Sequence, residues 1–167
     1  MPRNASRFQE GSDIAICRAG FCDVDELLPM FEAYRASYRL PPRACDSREF
    51  LTRRLVLNDS IILIAWTGDE FGCAVGFVQI YQSLSSLEMS PVWIVNDLFV
   101  KPEYRHRGAA RQLMLEAHRI AEGNAVSRLL LETAPDNRTA RALYESLGYE
   151  QESAMLHYSK TVSEPRK

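Results

Sequence analysis

Arg105, His106, Arg107 and Arg111 crowd around a single glycine, Gly108, where an amphipathic stretch begins. Cations are electrostatically out of place there, because a helix leaves its first amides unpaired and carries positive partial charge at that end. Native helices put Asp or Glu in the first turn instead. The arrangement makes chemical sense if a polyanion sits on the helix end and is shared by backbone amides and guanidinium groups. Gly108 lets the backbone approach closely, and Ala109 and Ala110 add almost no bulk. A solvated basic helix start is the plain alternative, and the neighbours decide between the two.

A second chemically charged position lies just upstream. The run Val92-Trp93-Ile94-Val95-Asn96-Asp97-Leu98-Phe99-Val100 reads as a strand halted by Pro102. Asp97 is ionisable within it and needs a partner or a cleft. Side chains alternate along a strand, so Asn96 and Asp97 face opposite sides unless a bulge intervenes.

Elements on either side must hold these groups in place. After Ala110, the apolar residues Leu113, Met114, Ala117 and Ala121, with Ile120 alongside, recur at helical spacing, and Gly123-Asn124 stops the helix. Residues 126–133 predict a further strand ending at Ala134-Pro135-Asp136-Asn137. The next helix is capped by Asp136 or Asn137 and places Ala140, Leu143, Tyr144 and Leu147 on one face, with Gly148 at its C-terminus. Strand, helix, strand, helix implies a parallel pair joined by a right-handed crossover. Upstream, residues 13–18 predict a strand and Asp23 or Asp25 starts a helix that Pro41-Pro42 breaks. Asp46 or Ser47 caps a second helix running to about residue 57. Residues 60–67 and 73–82 read as a hairpin across residues 68–72, and residues 83–91 as a polar loop. A final strand is expected over residues 155–160.

Arg105, Gly108 and Ala110 match the phosphate-binding signature of the GCN5-related N-acetyltransferases (GNAT): Gln or Arg, two residues, Gly, one residue, then Gly or Ala. The run from Asn137 to Tyr149 resembles that family's second conserved region, in the right order and at the right spacing. The close match covers residues 92–150. It implies a mixed α+β fold: a largely antiparallel twisted sheet of six to seven strands flanked by about four helices, containing a splayed parallel strand pair.

The resemblance also implies acetyl-CoA as co-substrate. Its pantetheine arm would enter the splay beside Leu98, Phe99 and Val100, and its pyrophosphate would lie on the residues from Arg105 to Arg111. Asn137 would meet the arm where the second strand ends. The implied reaction is direct attack of an amine on the thioester in a ternary complex. That requires a proton acceptor for the amine and a donor for the departing thiolate. Tyr144 matches the family's usual donor, although a core aromatic would fit the same helix face. Some small-amine members have Glu where Asn96 stands; Asn96 cannot ionise, so Asp97 is the candidate base, with a purely structural carboxylate as the alternative. Glu88 is a weaker candidate, and a water chain without a dedicated base is a third arrangement. His106 reads as part of the phosphate loop; His118 and His157 carry no motif.

Residues 34–54 hold Arg35, Arg39, Arg43, Arg48, Arg53 and Arg54 against only Asp46 and Glu49. Solvated helix faces account for most of these, yet the bias leans toward an acceptor with its own negative group, such as an amino acid. Tyr34, Tyr38, Tyr81 and Trp93 could line the acceptor side or simply pack in the core. The expected acceptor is a primary amine of a small molecule. Protein lysines or N-termini, and a catalytically silent acyl-CoA-binding module, are the alternative readings.

Length and composition agree with one domain of 167 residues, with tails at residues 1–12 and 162–167. A hydrophobic share of 46% and a charged share of 25% describe a globular protein, and the net charge of −2 argues against a dedicated nucleic-acid binder. No apolar run has the length of a membrane span, and the N-terminus lacks a secretory core; the expectation is a cytoplasmic protein. Cys17, Cys22, Cys45 and Cys73 show no zinc-ligand spacing, so no metal is expected. The apolar run Met155-Leu156-His157-Tyr158 suits either an inner strand or a homodimer contact.

Overall fold

The chain folds in the order β1 (Ile14–Arg18), α1 (Val24–Ser37), α2 (Ala44–Leu57), β2 (Ser60–Thr67), β3 (Ala74–Ser85), β4 (Ser90–Val100), α3 (Ala109–Gly123), β5 (Arg128–Leu131) and α4 (Arg138–Ser146). These elements come from a computed structural model, which describes residues 13–67, 72–152 and 158–162. Two compact units can be distinguished, Met1–Glu132 and Thr133–Lys167. Among the described residues, no helix is long and apolar enough to cross a membrane.

In the first unit the strands form one sheet in chain order, β1-β2-β3-β4-β5. The first four are antiparallel neighbours, and β4 pairs parallel with β5. A parallel neighbour cannot be reached by a tight turn, and α3 supplies the crossover. The sheet has five described strands where the sequence predicts six to seven. Half of the last expected strand, residues 155–157, lies outside those described, and residues 158–160 form no strand. The homodimer contact expected over residues 155–158 is outside except for Tyr158, and so are residues 68–71 of the expected β2–β3 turn.

Both faces of the sheet are covered. On one, α1 and α2 bury Leu27, Met30 and Leu51 against Ile62, Ile64, Trp66, Phe77 and Phe99. On the other, α3 packs over β1 to β4 through its fully buried Leu113, Met114 and Ala117. Each large side chain so buried is worth about 1.5–3 kcal/mol, which makes the sheet a firm support for its loops.

Strand β5 is shorter than the expected 126–133, and two further boundaries differ from the sequence reading for an identifiable physical reason. The expected polar loop at 83–91 is mostly strand: pairing continues through Ser83↔Val92, Leu84↔Pro91 and Ser85↔Ser90. Serines and an 80% exposed Leu84 hide the alternation, but the ladder is made by the backbone and tolerates them. The second helix starts at Ala44 rather than at Asp46 or Ser47. Its end is capped from another helix, because Glu32 on α1 accepts the Arg43 amide at 2.8 Å and the Ser47 hydroxyl.

Candidate functional site

Pairing between β4 and β5 runs from Val92↔Arg128 to Val95↔Leu131 and stops there, while β4 continues five residues to Val100. On the opposite side of β4, Lys101 N donates to Val75 O at 2.9 Å. Alternation along an antiparallel ladder then puts Phe99 and Asp97 in hydrogen-bonded pairs with β3 and turns the backbone groups of Leu98 and Val100 toward the edge that β5 leaves. Such an edge can pair with an extended, amide-bearing chain as with an added strand. Gly76 on β3 permits the close approach behind it, since a Cβ there would lie 2.6 Å from the Phe99 carbonyl oxygen.

The loop after β4 turns sharply into α3. Arg105 Nε donates to Val100 O at 3.1 Å, pinning the loop to the strand end. The Arg107 guanidinium lies over the Tyr104 ring at 5.5 Å, and the Tyr104 hydroxyl meets Cys73 Sγ at 3.3 Å. His106 and Gly108 have φ of 61° and 86°, a left-handed backbone that aims amides into a concave turn. Helix α3 has no side-chain cap and no acidic residue in its first turn. Its first i→i−4 bond is Gln112 N to Gly108 O, so the amides of Gly108, Ala109, Ala110 and Arg111 precede the helical ladder. Arg105, His106, Arg107 and Arg111 are all exposed around them. This is an anion site in form.

The register of β3 and β4 resolves the Asn96-Asp97 question. Gln79 pairs with Asp97 and Ile80 with Val95, leaving Asn96 as the extra residue of a β-bulge. The two side chains therefore converge, and Asn96 Nδ2 donates to Asp97 Oδ2 at 3.1 Å. Asp97 is 8% exposed. Burial first, and then the Asp97 carboxylate with which it hydrogen-bonds, push the Tyr34 hydroxyl far above the usual phenol range. The same two causes, burial then Asp97, raise Tyr81, with Arg54 opposing. Gln79 is fully buried; its Nε2 donates to Ser60 Oγ at 3.1 Å and to Tyr81 Oη at 3.2 Å, while its Oε1 has no hydrogen-bond partner. Gln79 is absent from the sequence reading. The available signal is one amide inside the apolar run from Val75 to Ile80.

Glu88 is committed elsewhere: it pairs with Arg128 at 2.6 Å and accepts the Ser127 hydroxyl at 2.7 Å. Four of the six arginines expected to bias the acceptor side are also paired: Arg35 with Glu32, Arg43 with Asp46, Arg48 with Asp25 and Arg54 with Asp59. Among the described residues no cluster of His, Cys, Asp and Glu could hold a metal ion.

Within the second unit, Asn137 caps α4, its side chain accepting the Ala140 amide at 3.2 Å. Tyr144 is partly buried, its ring 5.9 Å from that of Tyr149 in an edge-on arrangement. Gly148 ends the helix at φ 85°, as its position predicts.

The sequence profile of the Acetyltransferase (GNAT) family matches residues 27–149. An uncharacterized N-acetyltransferase of Bacillus subtilis (strain 168), YhfO, is 39% identical over 147 residues, covering 88% of this chain and 97% of its own. The crystal structure of a probable acetyltransferase superposes with a TM-score of 0.84 at 34% identity, over 90% of this chain and 99% of that one. A shorter similarity, 27% over 92 residues, reaches an aminoglycoside N(6')-acetyltransferase type 1 of Salmonella typhimurium and covers 53% of this chain and 63% of that protein.

Proposed function

The chain belongs to the GNAT acetyltransferase family, and from that premise we propose that it moves an acetyl group from acetyl-CoA to a primary amine of a small molecule, by direct attack in a ternary complex. The observation that carries this reading is the uncapped, basic N-terminus of α3 beside the edge of β4 that β5 leaves. That pair of features suits the two ends of acetyl-CoA: amides and guanidinium groups for the pyrophosphate, and a strand edge for the amide-bearing arm. Arg105, His106, Arg107 and Arg111 hold the phosphates with the amides from Gly108 to Arg111. Leu98 and Val100 pair with the arm, Phe99 backs them from the core, and Asn137 is assigned to the arm by its match to the family's second conserved region.

When bound, acetyl-CoA supplies an activated acetyl thioester. The chain's own residues manage protons. Asp97 takes one from the acceptor ammonium, directly or through a water, because only the neutral amine is nucleophilic. Tyr144 gives its hydroxyl proton to the departing sulfur. Each such transfer is worth about 10²–10⁴-fold in rate. The relative that acts on aminoglycosides supports a small-molecule acceptor. Thiol release from acetyl-CoA, measured across a panel of amines, amino acids and lysine peptides, tests the reading. Tight CoA binding without turnover on any of them would favour a silent binding module instead.

A further inference from the structure

The reaction assigned above leaves the acceptor's own charge open, and the surroundings of Asp97 address it. The β4 bulge turns Asn96 and Asp97 toward the face that carries α1, where Tyr34 meets the carboxylate. Among the described residues, no Lys, Arg or His pairs with Asp97: its partners are the Asn96 amide and the Tyr34 hydroxyl, both neutral. A carboxylate that is more than nine-tenths buried with only neutral donors is electrostatically incomplete.

A second, independent feature points the same way. Directly across the ladder from Asp97, Gln79 buries a carbonyl oxygen that has no donor, although its amide nitrogen serves Ser60 and Tyr81. A buried acceptor without a donor is costly unless something fills the place. One wall of the sheet thus carries a carboxylate and an orphan carbonyl side by side in register; the carbonyl, fully buried, touches no ligand itself but adds its partial negative charge behind Asp97. Arg35, Arg43, Arg48 and Arg54 are each paired with a carboxylate of their own, and Arg54, whose guanidinium also reaches Tyr81, brings its Asp59 partner with it.

Resting on the acetyltransferase reading, we propose that Asp97, backed by Gln79 and held by Tyr34, selects a cationic amine whose reacting end bears no carboxylate, so that free amino acids are excluded as acceptors. This reverses the lean that the arginine count alone suggests. An α-carboxylate next to the reacting amine would be brought toward Asp97 and leave a like-charge pair in a poorly solvated place. The same carboxylate that holds the ammonium is the one that takes its proton.

The test uses matched acceptors that differ only by that carboxylate: tyramine against tyrosine, and agmatine against arginine, in steady-state thiol release from acetyl-CoA. The decarboxylated member of each pair is expected to have kcat/KM at least about tenfold higher, mainly through KM. Asp97→Asn should flatten the ratio toward one. Tyr34→Phe, which keeps the charge but removes its hydroxyl partner, should raise KM several-fold and retain the ratio. Equal or better use of the amino acids, no turnover of either member, or an unchanged ratio in Asp97→Asn would each overturn the inference. Titration of acetyl-CoA into the same protein separates the two levels, because loss of the parent reading would appear as absent acetyl-CoA binding.

Discussion

Tyr144 and Asp97 divide the proton work in the proposed reaction, and each can be removed nearly isosterically. Tyr144→Phe deletes one hydroxyl from a ring that packs edge-on against Tyr149. Turnover is expected to fall about 10²-fold or more with CoA affinity within twofold of the parent, by kinetics and calorimetry; equal losses in both would remove Tyr144 from the donor role. Asp97→Asn should cut kcat on every acceptor while leaving CoA affinity intact, measured the same way. The chemical identities of these residues are legible in the sequence, but their surroundings are not. Alternation alone sends Asn96 and Asp97 to opposite faces. The bulge that brings them together arises from the pairing of Gln79 and Ile80 with Asp97 and Val95, a property of two strands at once. Glu88 illustrates the same point, since its partners Ser127 and Arg128 lie about forty residues away.

Among the elements, the loop from β4 into α3 carries the most testable design. Gly108 holds φ at 86°, so Gly108→Ala introduces strain of about 1–2 kcal/mol and Gly108→Asp adds a negative charge to an anion site. CoA affinity, measured at low salt, should fall modestly in the first and at least about tenfold in the second. Equal effects would assign the loss to backbone strain rather than to charge. Gly76→Ala would force a Cβ to within 2.6 Å of Phe99 O and 3.0 Å of Val100 Cγ2. It should lower stability by about 1–3 kcal/mol in denaturant unfolding and weaken CoA binding by shifting the end of β4.

The junction of α1 and α2 gives a pH prediction. Burial raises the Glu32 carboxyl, but bonds from Ser47, the Arg43 amide and Arg35 outweigh it and leave the group below its ordinary value. A lowered folded value means that the stability Glu32 contributes is complete above its unfolded value of about 4.3 and is lost as pH falls through the folded one. Denaturation midpoints between about pH 3 and pH 6 should therefore drop more steeply in the parent than in Glu32→Gln. Periodicity locates α1, β2, α3 and α4 well, because each has a clear apolar face or strong end signals. It misplaces the start of α2 because the cap comes from Glu32 on another helix.

For the whole molecule, the family and its fold were legible from two short motifs, one on each side of β5, and the similarity at 34% identity and a TM-score of 0.84 agrees with that reading. The polarity proposed for the acceptor side was not legible. Six arginines in a short span look like a positive field until four of them are found paired with carboxylates. The central claim is acetyl transfer through the α3 anion site, and the most direct measurement is amine-dependent thiol release from acetyl-CoA by the parent protein beside Arg105→Ala and Gly108→Asp. Turnover with a small cationic amine is expected, with a KM for acetyl-CoA raised about tenfold or more in both variants. An unchanged KM for acetyl-CoA in both would contradict that claim.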